Sequence, residues 1–115
     1  MEDPSYPKAR EIFKKNAYPI VTAEVDEKGL DLTKVDRSSE IEMIYTTPSH
    51  QFPLGMIMPI SRRRELLSFA EAYNSFILED DYDSELRYYQ RPIPALKSID
   101  YLGRVIYLGT FSKIL

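Results

Sequence analysis

The sequence contains no cysteine, no tryptophan, a single histidine and four glycines in 115 residues. Without cysteine there is neither a disulfide framework nor a thiolate metal site, and such a composition suits a reducing compartment, so a cytoplasmic location is expected. Basic residues are not in excess. Fifteen lysines and arginines face 18 acidic residues, for a formal net charge of −3 and a pI of about 5.2. A nucleic-acid-binding module would carry a basic face and a high pI, so this chain is not expected to contact DNA itself. No apolar run approaches the ~20 residues that span a bilayer, and Met1-Glu2-Asp3 does not open a signal peptide; no membrane partner is expected. Repeats and low-complexity tracts are also missing. What is present is ordinary globular chemistry, 43% apolar and 29% charged, in a length below the ~150 residues of an average domain.

Strand-like and helix-like stretches alternate, which predicts an α/β layer architecture. Pro7 suits a first helical position, and Lys14, Lys15 and Asn16 suit a helix end, so a helix is expected over Pro7–Lys15. Residues 20–25 read as a strand closed by a turn at 26–29. Leu30, Leu32 and Val35 could line a short helix before a turn at 36–39. A second strand is expected over 41–46, followed by a loop punctuated by Pro48, Pro53, Gly55 and Pro59. The clearest helix covers 62–73, with Ser61 as N-cap and Leu66, Phe69, Ala70 and Tyr73 on one buried face. Asn74 is a natural stop. Phe76-Ile77-Leu78 reads as a short buried strand running into the acidic group Glu79-Asp80-Asp81-Tyr82-Asp83. After a Pro92/Pro94 stretch, a strand at 105–108 delivers Gly109-Thr110-Phe111-Ser112-Lys113.

Two strands thus end in chemically capable residues, at 79–83 and 109–113. Parallel α/β sheets bind ligands beyond the carboxyl ends of their strands, where the loops converge. An acidic run of this kind is first of all a solvated loop. Asp81-x-Asp83-x-Glu85 resembles the start of a calcium loop, but the required sixth-position Gly and twelfth-position Glu are Leu86 and Pro92, so no metal site is expected. Lys113 directly follows a buried strand, where partial burial would depress its pKa and make it an amine nucleophile for a carbonyl. His50 has no triad partner at any telling spacing and reads as structural, and the tyrosines read as packing aromatics.

Five blocks in order carry a resemblance: Glu2-Asp3-Pro4-Ser5-Tyr6-Pro7; Tyr45-Thr46-Thr47-Pro48-Ser49-His50-Gln51-Phe52-Pro53; Glu79-Asp80-Asp81-Tyr82-Asp83-Ser84-Glu85; Arg91-Pro92-Ile93-Pro94-Ala95-Leu96; and Gly109-Thr110-Phe111-Ser112-Lys113. Together they resemble the fold-type-I aminotransferases, and more narrowly the aminotransferase-like domain of MocR-type transcriptional regulators of the GntR superfamily. The resemblance implies a partial fold-type-I large domain, α/β with a mainly parallel sheet, and pyridoxal 5′-phosphate as cofactor. Lys113 would form the imine with the cofactor aldehyde. Asp80, 33 residues earlier, would pair with the pyridine nitrogen, keeping the ring protonated and electron-accepting. Tyr82 would donate to the phenolic oxygen, Tyr6 would stack on the ring, and Thr110 and Ser112 would contact the phosphate. Glu79, Asp81 and Asp83 would be structural.

Gln51-Phe52-Pro53-Leu54-Gly55 replaces the Asn-Pro-Thr-Gly common in the family, leaving the Asn contact absent or supplied by His50 or Gln51. Ser5 stands where Gly is common. The resemblance runs from residue 2 to the lysine, so it implies a longer parent, a homodimer in which a separate domain binds DNA and the ligand is an amino compound or the cofactor itself. An authentic amino-acid aminotransferase and a non-catalytic remnant are the alternatives. The chain by itself is expected to be marginally stable and without full transamination.

Overall fold

The computed structural model describes residues 1–16, 20–35, 40–82 and 93–109. In chain order the elements are β1 (Glu2–Asp3), α1 (Pro7–Lys15), β2 (Ala23–Asp26), β3 (Gly29–Leu30), β4 (Met43–Thr46), α2 (Ile60–Tyr73), β5 (Phe76–Asp81), a 3-10 helix (Leu96–Ile99) and β6 (Val105–Gly109). Strands β4, β5 and β6 form an all-parallel sheet in that order, and β1, β2 and β3 form a second, mixed sheet. This is the α/β architecture, with a parallel sheet, that the sequence leads one to expect.

Strand alternation decides what each face of the parallel sheet does. Ile44, Ile77 and Val105 point to one side and join Leu66, Phe69 and Ala70 of α2, together with Ala23, Leu30, Met58 and Leu96, in a single buried cluster. Parallel strands need a crossover, and α2 supplies it between β4 and β5, which pair from Met43↔Phe76 to Thr46↔Glu79. The helix ends where Asn74 adopts the left-handed conformation at φ 54° and its N–H turns back onto Glu71. On the opposite face Met43, Phe76, Ile106 and Leu108 remain 41–48% exposed.

Arg63 and Arg62 tie α2 to its surroundings in different ways. Arg63 is fully buried and donates to the carbonyls of Met58 (2.8 Å), Pro94 (2.8 Å) and Pro48 (3.1 Å). Arg62 makes a two-point bridge to Asp26 (2.9 and 3.1 Å) and donates to Leu30 O, pinning the β2–β3 hairpin to the helix. The Arg62 guanidinium holds the Asp26 carboxyl below its usual range.

The turn of that hairpin depends on Gly29, at φ 97°, a region an L side chain rarely adopts; an added Cβ would also meet Met58 Cε at 3.4 Å. Gly29→Ala is therefore expected to destabilise the protein by about 1–3 kcal/mol, read as a lower denaturant midpoint. A variant as stable as the original would show that the hairpin relaxes.

Several boundaries differ from the sequence reading. The second element begins at Ala23 rather than residue 20. Residues 30–35 form no helix: Leu30 pairs with Val25 in the hairpin, and 33–35 turn, while Leu32 and Val35 still pack against the core. Ser61 does not cap α2. The helix starts two residues earlier, at Ile60, with Pro59 extended at ψ 163° as the cap and its carbonyl accepting from Arg63 N–H. The largest correction concerns β5, which does not stop at Leu78. Pairing with β6 continues through Asp80↔Leu108 and Asp81↔Gly109, so Glu79, Asp80 and Asp81 are strand residues, not a solvated loop. No helix among the described residues is long and apolar enough to cross a membrane.

Candidate functional site

Because β4, β5 and β6 are parallel neighbours, their carboxyl ends meet at one edge of the sheet, with Thr46 beside Glu79 and Asp81 beside Gly109. Alternation along β5 then gives its three consecutive carboxylates different surroundings. Glu79 is buried and accepts the backbone N–H groups of Leu96 (2.8 Å) and Lys97 (3.0 Å), fixing the start of the 3-10 helix. Burial raises its pKa against the pull of those two donors and of the Arg63 charge. Asp81 is buried on the same side and accepts from the Tyr107 hydroxyl at 2.7 Å.

Asp80 alone turns to the other face and is half-buried. Its Oδ2 accepts a hydrogen bond from the Tyr45 hydroxyl at 2.6 Å. Tyr45 is 3% exposed, and burial, reinforced by the Asp80 charge, pushes its pKa well above the usual phenol value. The phenol therefore keeps its proton and is the donor in this hydrogen bond.

Aromatic rings line the loops around this edge. Phe52 stands between Tyr6 (5.3 Å between centroids, 70°) and Tyr82 (5.6 Å, 88°), in edge-to-face contact with both. His50 stacks on Tyr82 at 5.8 Å and 20°. Tyr6 is also close enough to Tyr45 for the two phenols to interact electrostatically.

The loops carrying these rings are joined by a buried carboxylate. Glu2 of β1 is fully buried and accepts from Thr46 Oγ1 (2.7 Å), Thr47 Oγ1 (2.9 Å), Thr47 N–H (3.1 Å) and Gln51 Nε2 (3.3 Å). Burial still raises its pKa despite those four donors. Gln51 Nε2 also donates to Pro4 O, and Gln51 Oε1 accepts from Leu54 N–H. The Gln51 amide is thus committed to holding the loop, and His50, against Tyr82, is the side chain of that pair turned towards the aromatic group.

Of the residues singled out from sequence, the structure brings Tyr6, Tyr82 and Asp80 to one end of the sheet. Thr110, Ser112 and Lys113 lie outside the described residues, as does Asp83. Tyr45, Phe52 and Glu2 were not legible as site-forming residues. The alternation of β4 does put position 45 on one face, but its partner depends on the register with β5.

No protein-family model matches the chain. The chain is 51% identical over 114 residues to an uncharacterized HTH-type transcriptional regulator, YdeL, of Bacillus subtilis strain 168, covering 99% of this chain and 24% of that protein. It is 42% identical over 115 residues to the probable rhizopine catabolism regulatory protein MocR of Rhizobium meliloti, covering 100% and 23%. Among solved structures, the Pyrococcus horikoshii kynurenine aminotransferase superposes with a TM-score of 0.85 at 35% identity, over 99% of this chain and 30% of that one. The chain has the fold of a fold-type-I aminotransferase large domain.

A second fold-type-I structure, the multiple substrate aminotransferase of Thermococcus profundus, agrees with a TM-score of 0.83 at 39% identity, over 99% of this chain and 30% of that chain. The aminotransferase-like chain spans about a quarter of the length of the curated relatives it matches. Its sequence relatives include several transcriptional regulators, and its aminotransferase-like fold is shared with enzymes.

Proposed function

We propose that this chain forms the ring-binding side of a pyridoxal 5′-phosphate site in a MocR-type regulator that responds to an amino compound or to the cofactor itself. The observation that carries the reading is the Asp80 carboxylate, held by Tyr45 at the carboxyl end of β5 at the same sheet edge as the Tyr6–Phe52–Tyr82 rings. An ionised carboxylate near aromatic rings suits a flat heterocycle whose nitrogen is protonated, so the donor set fits this cofactor. When bound, pyridoxal phosphate supplies an aldehyde for amines and a ring that accepts electrons.

In this reading the chain's own residues divide the work. Asp80 would hold the proton on the ring nitrogen. Tyr6 would cover one ring face, and Tyr82, with His50 stacked against it, would donate to the phenolic oxygen. Thr110 and Ser112 would hold the phosphate through hydroxyls, which bind an oxyanion without adding charge. Lys113 would provide the amine for the aldehyde. DNA recognition belongs to a separate domain of the full regulator, which pairs as a dimer.

Incubation of the protein with pyridoxal phosphate, borohydride reduction and peptide mapping are expected to place the label on Lys113. A label elsewhere, or none, would overturn the reading. A second reading, an amino-acid aminotransferase, draws support from the two aminotransferase structures that share this fold. Turnover that depends on a keto acid would favour it over a regulator that only binds.

A further inference from the structure

Tyr45 is buried, yet its hydroxyl is spent on a single partner that the proposed function places against the cofactor. The β4–β5 register pairs Tyr45 with Leu78, so Asp80 is its diagonal neighbour on the same sheet face. Diagonal neighbours lie ~7–8 Å apart, within reach of an aromatic side chain but not of a short polar one. The Phe13 ring meets Tyr45 edge-on at 6.2 Å and 74°, which restrains the phenol from the α1 side. A tyrosine is therefore the residue that can stay in the core at position 45 and still hand a proton donor to Asp80 at 2.6 Å.

We propose that Tyr45 is a positioning residue for Asp80, its hydroxyl holding the carboxylate ionised and in one orientation towards the cationic nitrogen of the cofactor. The inference rests on the pyridoxal phosphate reading and assigns a role to a residue outside the six given a contact with the cofactor there. A hydrogen bond from a neutral donor to a charged acceptor lowers the proton affinity of that acceptor. Removing it takes away one restraint on the carboxylate and makes it a better proton trap, and both changes weaken its pairing with a ring N–H.

Tyr45→Phe deletes only the hydroxyl, so the ring contact with Phe13 is kept. Two readouts test it. In the cofactor-free protein, the carbon-13 titration midpoint of the Asp80 carboxyl is expected to move upward. With pyridoxal phosphate added, affinity is expected to fall about tenfold to a hundredfold, the range for losing a hydrogen bond to a charged group. Combined with Asp80→Asn, Tyr45→Phe is expected to cost no further affinity, because the carboxylate it positions is gone.

If Tyr45→Phe does not fold, 3-fluorotyrosine at position 45 takes its place. The more acidic phenol is expected to shift the Asp80 midpoint downward. Unchanged Asp80 titration and unchanged affinity in the altered protein, with the unaltered protein still labelled at Lys113, would overturn the role of Tyr45 alone. A failure of the unaltered protein to take up the cofactor would overturn the underlying reading and this inference together.

Discussion

Arg63→Ala is expected to lower the unfolding free energy by about 3–5 kcal/mol, seen as a shift of the urea midpoint at unchanged slope. The guanidinium has no exposed surface and donates to three carbonyls, at Pro48, Met58 and Pro94. These belong to the loop after β4, the approach to α2 and the segment before the 3-10 helix. Alanine would leave buried acceptors without that donor and would open a cavity where the side chain lay. It would also remove the positive charge that counteracts the raised pKa of Glu79. Arg63→Lys keeps the charge but loses the planar fork, so an intermediate loss is expected. A cost below about 1 kcal/mol for Arg63→Ala would show that water replaces the guanidinium.

Glu2→Ala should have the next largest effect, about 2–4 kcal/mol, because four donors lose one buried acceptor at once. One of them, the Thr47 N–H, belongs to the backbone and cannot rotate towards another partner. Since Glu2 joins the Tyr6 loop to the Gln51–Phe52 loop, the near-ultraviolet dichroism of the rings is expected to weaken along with the stability. Unchanged ring signals would separate the loop geometry from this network.

Glu2 also makes a pH-dependent contribution whose sign follows from burial. Its folded-state pKa is raised above the ordinary value of 4.5, so the folded chain keeps a proton that the unfolded chain has released. The stability contributed by Glu2 is complete below that value and is lost as pH rises through the raised midpoint. Glu79 acts in the same direction. Glu2→Gln, which has no proton to lose, is expected to flatten the decline in stability above about pH 4.5. An equally steep decline in that variant would assign the slope to other groups.

Much of the architecture was legible because hydrophobic period reports burial directly. Leu66, Phe69 and Ala70 repeat at helical spacing and lie in the core, and Ile77 and Val105 mark the strands that flank them. The end of β5 was not legible. Three acidic residues in a row look solvated to any local reading, and only pairing with β6 keeps them in a strand and turns Glu79 and Asp81 inward. The cap of α2 was missed for a related reason: Ser61 has the better capping side chain, but the backbone turns into the helix two residues earlier, at Pro59. Tyr6, Asp80 and Tyr82 could be singled out by their motifs as candidates, whereas Tyr45 and Glu2 act through partners 35 and 44 or more residues away, which no local pattern encodes.

The amino-acid sequence alone pointed to the α/β class through its periodicity, and its ordered motifs carried the resemblance to aminotransferase-like proteins and singled out the candidate residues. The tertiary structure decided which carboxylate serves which purpose. Glu79, Asp80 and Asp81 are neighbours in the chain with the same functional group. Strand alternation and register give one to a backbone turn, one to Tyr45 at the carboxyl edge, and one to Tyr107.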